Sequence, residues 1–232
     1  MRDPALYSEG YYHVTNRGVD KRQVFVDDVD YRAFYEYMYL FSDSQYENPH
    51  GRPLKKEVEL AAYEALWMDR VPLVKILSFV LVGNHFHMFL EQLMEDGISR
   101  FIHKLQKTYS RQFNNRHGRC GGLFEKSFKA VPVTSDGHFL HLPRYQHLNS
   151  LDLVFPEWRE GKVADWDRAW RILETNKWSS HHVYMRRSQP LPLVDLDFAT
   201  TSFQSSSDYI GYLKEWAGRD ANSADLQDIL FI

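Results

Sequence analysis

A single cysteine, Cys120, occurs in 232 residues, so no intrachain disulfide framework holds this chain together, and a reducing compartment suits it. No run of 18 apolar residues occurs, which removes the membrane-spanning helix from consideration. The opening MRDPALYSEG has no apolar segment of the kind a secretory signal uses. HExxH and CxxC are both missing, so neither a zinc protease nor a structural zinc site is indicated. No repeat at a solenoid period is present either. These absences point to a soluble cytoplasmic protein with no membrane partner. Acidic residues are scarce in one place only. Residues 100–129 hold eight lysines and arginines against Glu125 alone, a net +7 in a chain whose total is −3. A basic stripe of that kind binds phosphates even on an acidic protein.

What the chain has is aromatic and apolar bulk, 15% and 44% of its residues, enough for a real core. GYYHVTNRG (10–18) alternates as a strand, with His13, Thr15 and Arg17 on one face. DDVDYRAFYEYMYLFS (27–42) reads as a capped helix with an apolar stripe. Residues 43–70 interrupt the pattern with a loop and a short helix in LKKEVELAAYEALWM. VPLVKILSFVLV (71–82) and NHFHMFLEQ form a hairpin about Gly83-Asn84. Residues 96–118 form the clearest helix, with Ile98, Phe101, Ile102, Leu105, Tyr109 and Phe113 on one face and Arg100, Lys104, Lys107 and Arg111 on another. SFKAVPVTS (127–135) is a fourth strand, and LPRYQHLNS (142–150) starts a helix with Pro143 in its first turn. Strand–helix–strand–strand–helix–strand is the split βαβ order of an α+β, ferredoxin-like sandwich, an antiparallel four-stranded sheet with its helices on one face. Beyond Arg186 the chain becomes Pro-, Ser- and Asp-rich. The expected domains are 1–185, with an insertion at 43–70, and 186–232, an acidic and peripheral helical extension.

Chemistry enters with LVGNHFHMFLEQ (81–92). Side chains two apart in a strand share a face, so His85 and His87 project together while Phe86, Met88 and Leu90 point to the core. Two imidazoles side by side suit a divalent metal with open positions, or form no more than a polar patch. Tyr145 and Asn149 lie one helical turn apart. If their helix crosses the free sheet face, a phenol, an amide oxygen and two imidazoles converge, a set able to polarise a phosphodiester and attack it. Glu91 shares the strand face of the histidines, which leaves an iron-type site as a rival arrangement. Tyr109 is the rival nucleophile, but its spacing places it in the core.

Taken together, HVTNRGVDKRQVF, LVGNHFHMFLE, LQKTYSRQFNNRHGRCGGLFEKSFKAVPV, PRYQHLNS and KWSSHHVYM, in that order over residues 10–185, resemble the REP-associated tyrosine transposases, which belong to the HUH endonucleases with the single-tyrosine insertion-sequence transposases. The resemblance implies that His85 and His87 are the metal-binding pair, Tyr145 the nucleophile and Asn149 the amide ligand, with Mg²⁺ or Mn²⁺ as cofactor. It implies cutting of single-stranded DNA beside a hairpin through a covalent 5′-phosphotyrosine; monomer and homodimer are both open as the working form. The alternative is a relative that binds hairpin DNA without cutting it. Arg17, Arg100, Lys104, Lys107, Arg111, Arg116 and Arg119 are the expected nucleic-acid contacts. Three features depart from the family pattern: the length of 43–70, Ser150 where proline usually follows the asparagine, and the acidic tail.

Overall fold

The computed structural model describes residues 6–46, 70–125 and 127–217. The helix expected in LKKEVELAAYEALWM and the tail piece SADLQDILFI lie outside the described residues. Four strands, β1 (Tyr11–Arg17), β2 (Val74–Val82), β3 (His85–Gln92) and β4 (Lys129–Pro132), form one sheet in the order β2-β3-β1-β4. Every neighbouring pair is antiparallel. Helices α1 (Asp28–Phe41) and α2 (Gly97–Arg116) make the two crossovers. This is the ferredoxin-like α+β sandwich that the element order implies.

One face of the sheet packs as a conventional core. Asp27 caps α1 by accepting from the backbone of Val29 and Asp30. The start of α2 lacks a side-chain cap of its own. Instead the fully buried Gln92, at the end of β3, accepts from Ile98 N at 3.1 Å, which satisfies one of the donors a helix start leaves open. Between these helices and the sheet, Phe34 lies 5.2 Å from Phe86, ring to ring, and 5.0 Å from Tyr109. Tyr109 is buried and its hydroxyl donates to the carbonyl of Val24, so it belongs to the core. Burial drives its phenol far above the ordinary range, which removes it as a rival nucleophile.

The other face is covered by a third helix. The sequence suggests that this helix begins at Leu142, but α3 runs from Asp136 to Leu148, capped by Ser135, which accepts from His138 N. Pro143 therefore sits inside it rather than in its first turn. An interior proline removes one backbone donor and crowds the preceding carbonyl, at a cost of about 3 kcal/mol in an isolated helix. Packing outweighs that cost: every residue from Leu142 to Leu148 is buried. The helix lies between the sheet and the chain beyond Arg186, so it has no solvent-facing side there.

That outer layer corrects a second expectation. The described part of the tail is not peripheral. It folds into α4 (Trp166–Thr175), α5 (His181–Tyr184), α6 (Leu196–Ser202) and α7 (Ser206–Ala217) together with the segment before it. Tyr209 and Leu213 of α7 are fully buried. The Tyr209 hydroxyl bridges His147 Nδ1 at 2.8 Å and His181 Nδ1 at 2.7 Å. The buried Arg144 guanidinium is held over the rings of Tyr212 and Trp216 at 4.0 and 3.6 Å. The tail thus fixes α3 from behind, and α3 carries Tyr145.

Candidate active site

Strand register brings the imidazoles together. β3 pairs with β1 so that Thr15 faces His87 and Arg17 faces His85. His85 and His87 therefore lie on the face opposite Phe86, their rings 4.9 Å apart and nearly perpendicular. His13, two places along β1, joins them: its Nε2 is 2.9 Å from His87 Nδ1. Tyr145 comes down from α3, its ring centroid 5.8 Å from His87 and 6.1 Å from His13. Asn149 ends the same helix one turn on and donates from Nδ2 to the Tyr145 carbonyl at 2.7 Å. His85, His87 and Tyr145 line a single cavity of ≈ 290 Å³ with Arg17, Asp152 and Arg159.

The protonation states suit metal binding. Burial holds His13 down to about 3 and His85 down to about 4, and pushes His87 well below the ordinary imidazole range, helped by its two histidine neighbours. All three are neutral at pH 7, the form in which imidazole is a ligand. Asn84 adds a fixed tautomer. Its Oδ1 lies 2.6 Å from His85 Nδ1. An amide oxygen only accepts, so Nδ1 carries the hydrogen and Nε2 keeps its lone pair. His13 does the same for His87 in the tautomer in which His87 Nδ1 donates to it. Asn149 Oδ1 accepts from Arg159 at 2.9 Å, and a carbonyl oxygen has a second lone pair to offer. The donor set of two neutral imidazoles and an amide oxygen thus fits a divalent cation with open positions.

The rival arrangement is not assembled. Glu91 lies at the other end of β3, paired with Lys75 at 3.4 Å, and is not part of the cavity wall. Among the described residues no group of three or more His, Cys, Asp or Glu side chains is disposed to hold a metal.

The basic residues divide into two groups. Arg17 lines the cavity, paired with Glu125 at 2.9 Å. The others lie on or just beyond α2, in the layer on the far side of the sheet from the histidines. Arg100, Lys107 and Arg111 are exposed there. Lys104 meets the carbonyl of Tyr46. Arg116 is held by Asp27 and Asp30 at 2.5 and 2.7 Å, and Arg119 donates to Asn114 at 3.0 Å. The structure therefore does not bring the stripe to the site.

Two contributors escape sequence reasoning. Arg159, fourteen residues after Tyr145, donates to the Tyr145 hydroxyl at 2.9 Å. Asp152 accepts from Arg159 at 2.7 Å and from Trp158 Nε1 at 2.6 Å. Both belong to the turns after α3, where no periodicity marks a site. His13 had a signal, its place beside Arg17 on one strand face, but not its partner.

Comparison with known proteins follows the same residues. Residues 57–147 match the transposase family described as IS200-like. This resembles the family that the ordered sequence blocks point to. The matched stretch contains His85, His87 and Tyr145 and ends before Asn149 and Arg159. A solved structure of a REP-associated tyrosine transposase bound to a REP hairpin aligns over 84% of this chain and 93% of that chain, with a TM-score of 0.48 and 13% sequence identity. No curated protein matches the sequence. Among the described residues, no helix is long and apolar enough to cross a membrane.

Proposed function

We propose that this chain is a metal-dependent, HUH-type single-stranded DNA endonuclease and strand transferase that cuts beside a hairpin. The supporting observation is convergence: Tyr145, His85 and His87, from two segments of sequence, line one cavity on one sheet face, and the Asn149 side chain reaches His85 beside it. The Tyr145 hydroxyl oxygen attacks the phosphorus of a phosphodiester. As the phenol oxygen–phosphorus bond forms, the bond from phosphorus to the 3′-oxygen breaks, and the phenolic proton ends on that departing oxygen. The products are a 5′-phosphotyrosine and a free 3′-OH, and the reverse step rejoins a strand without a nucleotide cofactor.

His85, His87 and Asn149 would hold Mg²⁺ or Mn²⁺. When bound, the cation supplies positive charge to the phosphoryl oxygens. The chain's own residues do the rest. α3, pinned between sheet and tail, sets the direction of the phenol. His13 and Asn84 orient the two imidazoles. Arg17 offers charge at the cavity rim, and the exposed stripe of Arg100, Lys107 and Arg111 suits the phosphates of a hairpin stem.

A second reading is a hairpin-binding protein that does not cut. The burial of Tyr145, only 2% exposed, with its hydroxyl held by Arg159, favours it. A denaturing gel of labelled hairpin oligonucleotides with single-stranded flanks separates the two, run with and without Mn²⁺. Strand cleavage gives a covalent protein–DNA adduct with wild type and metal, and none with Tyr145→Phe. Tight binding with no adduct under any divalent cation supports the second reading. An adduct that persists in Tyr145→Phe assigns the chemistry to another residue.

A further inference from the structure

Arg159 holds a position that no other cation among the described residues shares. One planar group touches the Tyr145 hydroxyl through NH1, and through NH2 both Asn149 Oδ1 and Asp152 Oδ2. It therefore joins the phenol and the amide that the proposed function assigns to nucleophile and ligand. Its position is braced twice. Asp152 is itself held by the indole of Trp158, and the guanidinium lies 4.7 Å from the centre of the Trp158 ring. A cation fixed in this way needs little rearrangement when charge develops beside it.

An arginine side chain has five N–H donors and no acceptor, and it keeps its proton. Arg159 is thus no base for Tyr145. Because it donates to the phenol oxygen, the phenol's own hydrogen must point elsewhere. Three of the five donors are used by the contacts above, leaving one hydrogen on NH1 and the one on Nε without a partner among the described residues. Arg17, the other arginine of the cavity wall, is paired with Glu125 and makes no such contact with the phenol. The phosphorus that Tyr145 attacks must come within bonding distance of the very oxygen Arg159 touches. Its non-bridging oxygens then lie one bond beyond that atom, beside the remaining NH1 hydrogen, which can give one of them a charge-assisted hydrogen bond.

We propose that Arg159 is a further catalytic residue of this site: its guanidinium holds the Tyr145 hydroxyl before substrate arrives, and donates from NH1 to a non-bridging oxygen of the scissile phosphate as the phosphotyrosine bond forms and breaks. The assignment rests on the strand-cleavage reading. Attack moves negative charge onto the non-bridging oxygens and the departing 3′-oxygen. Reversal returns charge to the phenol oxygen, which Arg159 also contacts. One cation thereby serves both directions of the transfer, with no atom consumed.

The test uses single-turnover adduct formation by the full chain with Mn²⁺. The probe is an end-labelled DNA hairpin with a single-stranded flank of randomised sequence. The cut position mapped with wild type then receives a methylphosphonate, which lacks the charged non-bridging oxygen. Arg159→Ala is expected to slow adduct formation by about 10²-fold or more, with hairpin affinity within about threefold of wild type. Guanidinium ion at non-denaturing concentration should recover part of that rate, and urea should not. On the methylphosphonate the gap between wild type and variant should close. Arg159→Lys, which keeps charge without the fork, should fold as wild type does and still be slowed about tenfold; it carries the test if the alanine variant does not fold. Rates for both variants within about threefold of wild type overturn the assignment and leave strand cleavage standing. So does a defect that guanidinium does not relieve and the methylphosphonate does not erase. No adduct from wild type with any divalent cation overturns both.

Discussion

Phe86 and His87 are neighbours in β3, yet they enter different layers. Phe86 meets Phe34 and Phe124 at ring distances of 5.2 and 5.8 Å, among side chains that need only be apolar and of suitable size. His87 meets His13 and Tyr145 in a layer where Ser78, Gln146, His147, Asn149 and Arg144 are also buried. On the first side burial alone stabilises. On the second each buried polar group needs a partner, and the partners come from segments distant in sequence: Ser78 with Gln146 at 2.6 Å, His147 with Ser180 at 2.7 Å and with Tyr209. One sheet thus carries a face that makes the fold stable and a face that makes it specific.

The contrast between the faces is tested hardest within β3 itself. Phe86→Ala should cost about 3–5 kcal/mol in urea unfolding. His85→Ala, one residue away on the opposite face, should cost about 1 kcal/mol or less while abolishing the Mn²⁺-dependent adduct. Equal losses of stability from the two would mean that the faces are not energetically distinct.

Acid should act chiefly on the polar face. His13, His85, His87, His147 and His181 are all kept neutral below the ordinary imidazole range, chiefly by burial. In the unfolded chain each takes a proton near pH ~6.5. The unfolded state therefore binds more protons as pH falls below about 6.5, and stability drops, by about 1.4 kcal/mol per pH unit for each such histidine. For His181 the loss ends near its folded value of about 4. Urea midpoints at about pH 7.5, 6.5 and 5.5 should fall throughout, with the steeper drop between the last two. A midpoint that holds steady down to about pH 5 would show that these imidazoles are already solvated.

A smaller effect is expected behind the metal ligands. His13→Ala removes the partner of His87 Nδ1 and should weaken Mn²⁺ affinity about 10–100-fold, measurable by calorimetry, with the sheet intact by circular dichroism. Unchanged affinity would make His13 a packing residue. The smallest effect belongs to the outer surface of α2. Joint replacement of Arg100, Lys107 and Arg111 by alanine should lower the salt dependence of hairpin binding by about one unit of slope for each phosphate no longer neutralised. It should leave the adduct yield per bound complex unchanged, since the sheet separates these residues from the cavity. A loss of yield at saturating DNA would place the stripe in the chemistry instead.

The same contrast explains what was legible. β1, α1, β3 and α2 follow from period-2 and period-3.6 patterns because one of their sides is uniformly apolar, and β2 from a nearly continuous β-branched run. The split βαβ order follows from them, and so does the shared face of His85 and His87. α3 is different: LPRYQHL mixes arginine, glutamine and histidine with apolar residues, and all seven are buried because the helix is covered on both sides. No amphipathic stripe marks it, and Pro143 misleads about its start. The tail misleads in the same way. Its acidic, Ser-rich composition suggests a solvated appendage, whereas Tyr209, Leu213 and Trp216 pack behind α3.

Two pairings are written in the chain order: strand alternation sets His85 beside His87, and one helical turn sets Tyr145 beside Asn149. Both depend only on local backbone geometry. That the two pairs meet, that His13 supports His87 and that Arg159 grips the phenol became visible only once the layers were packed. Those contacts join residues 10 to 74 positions apart, and nothing in local periodicity says which distant side chain will satisfy a buried polar atom.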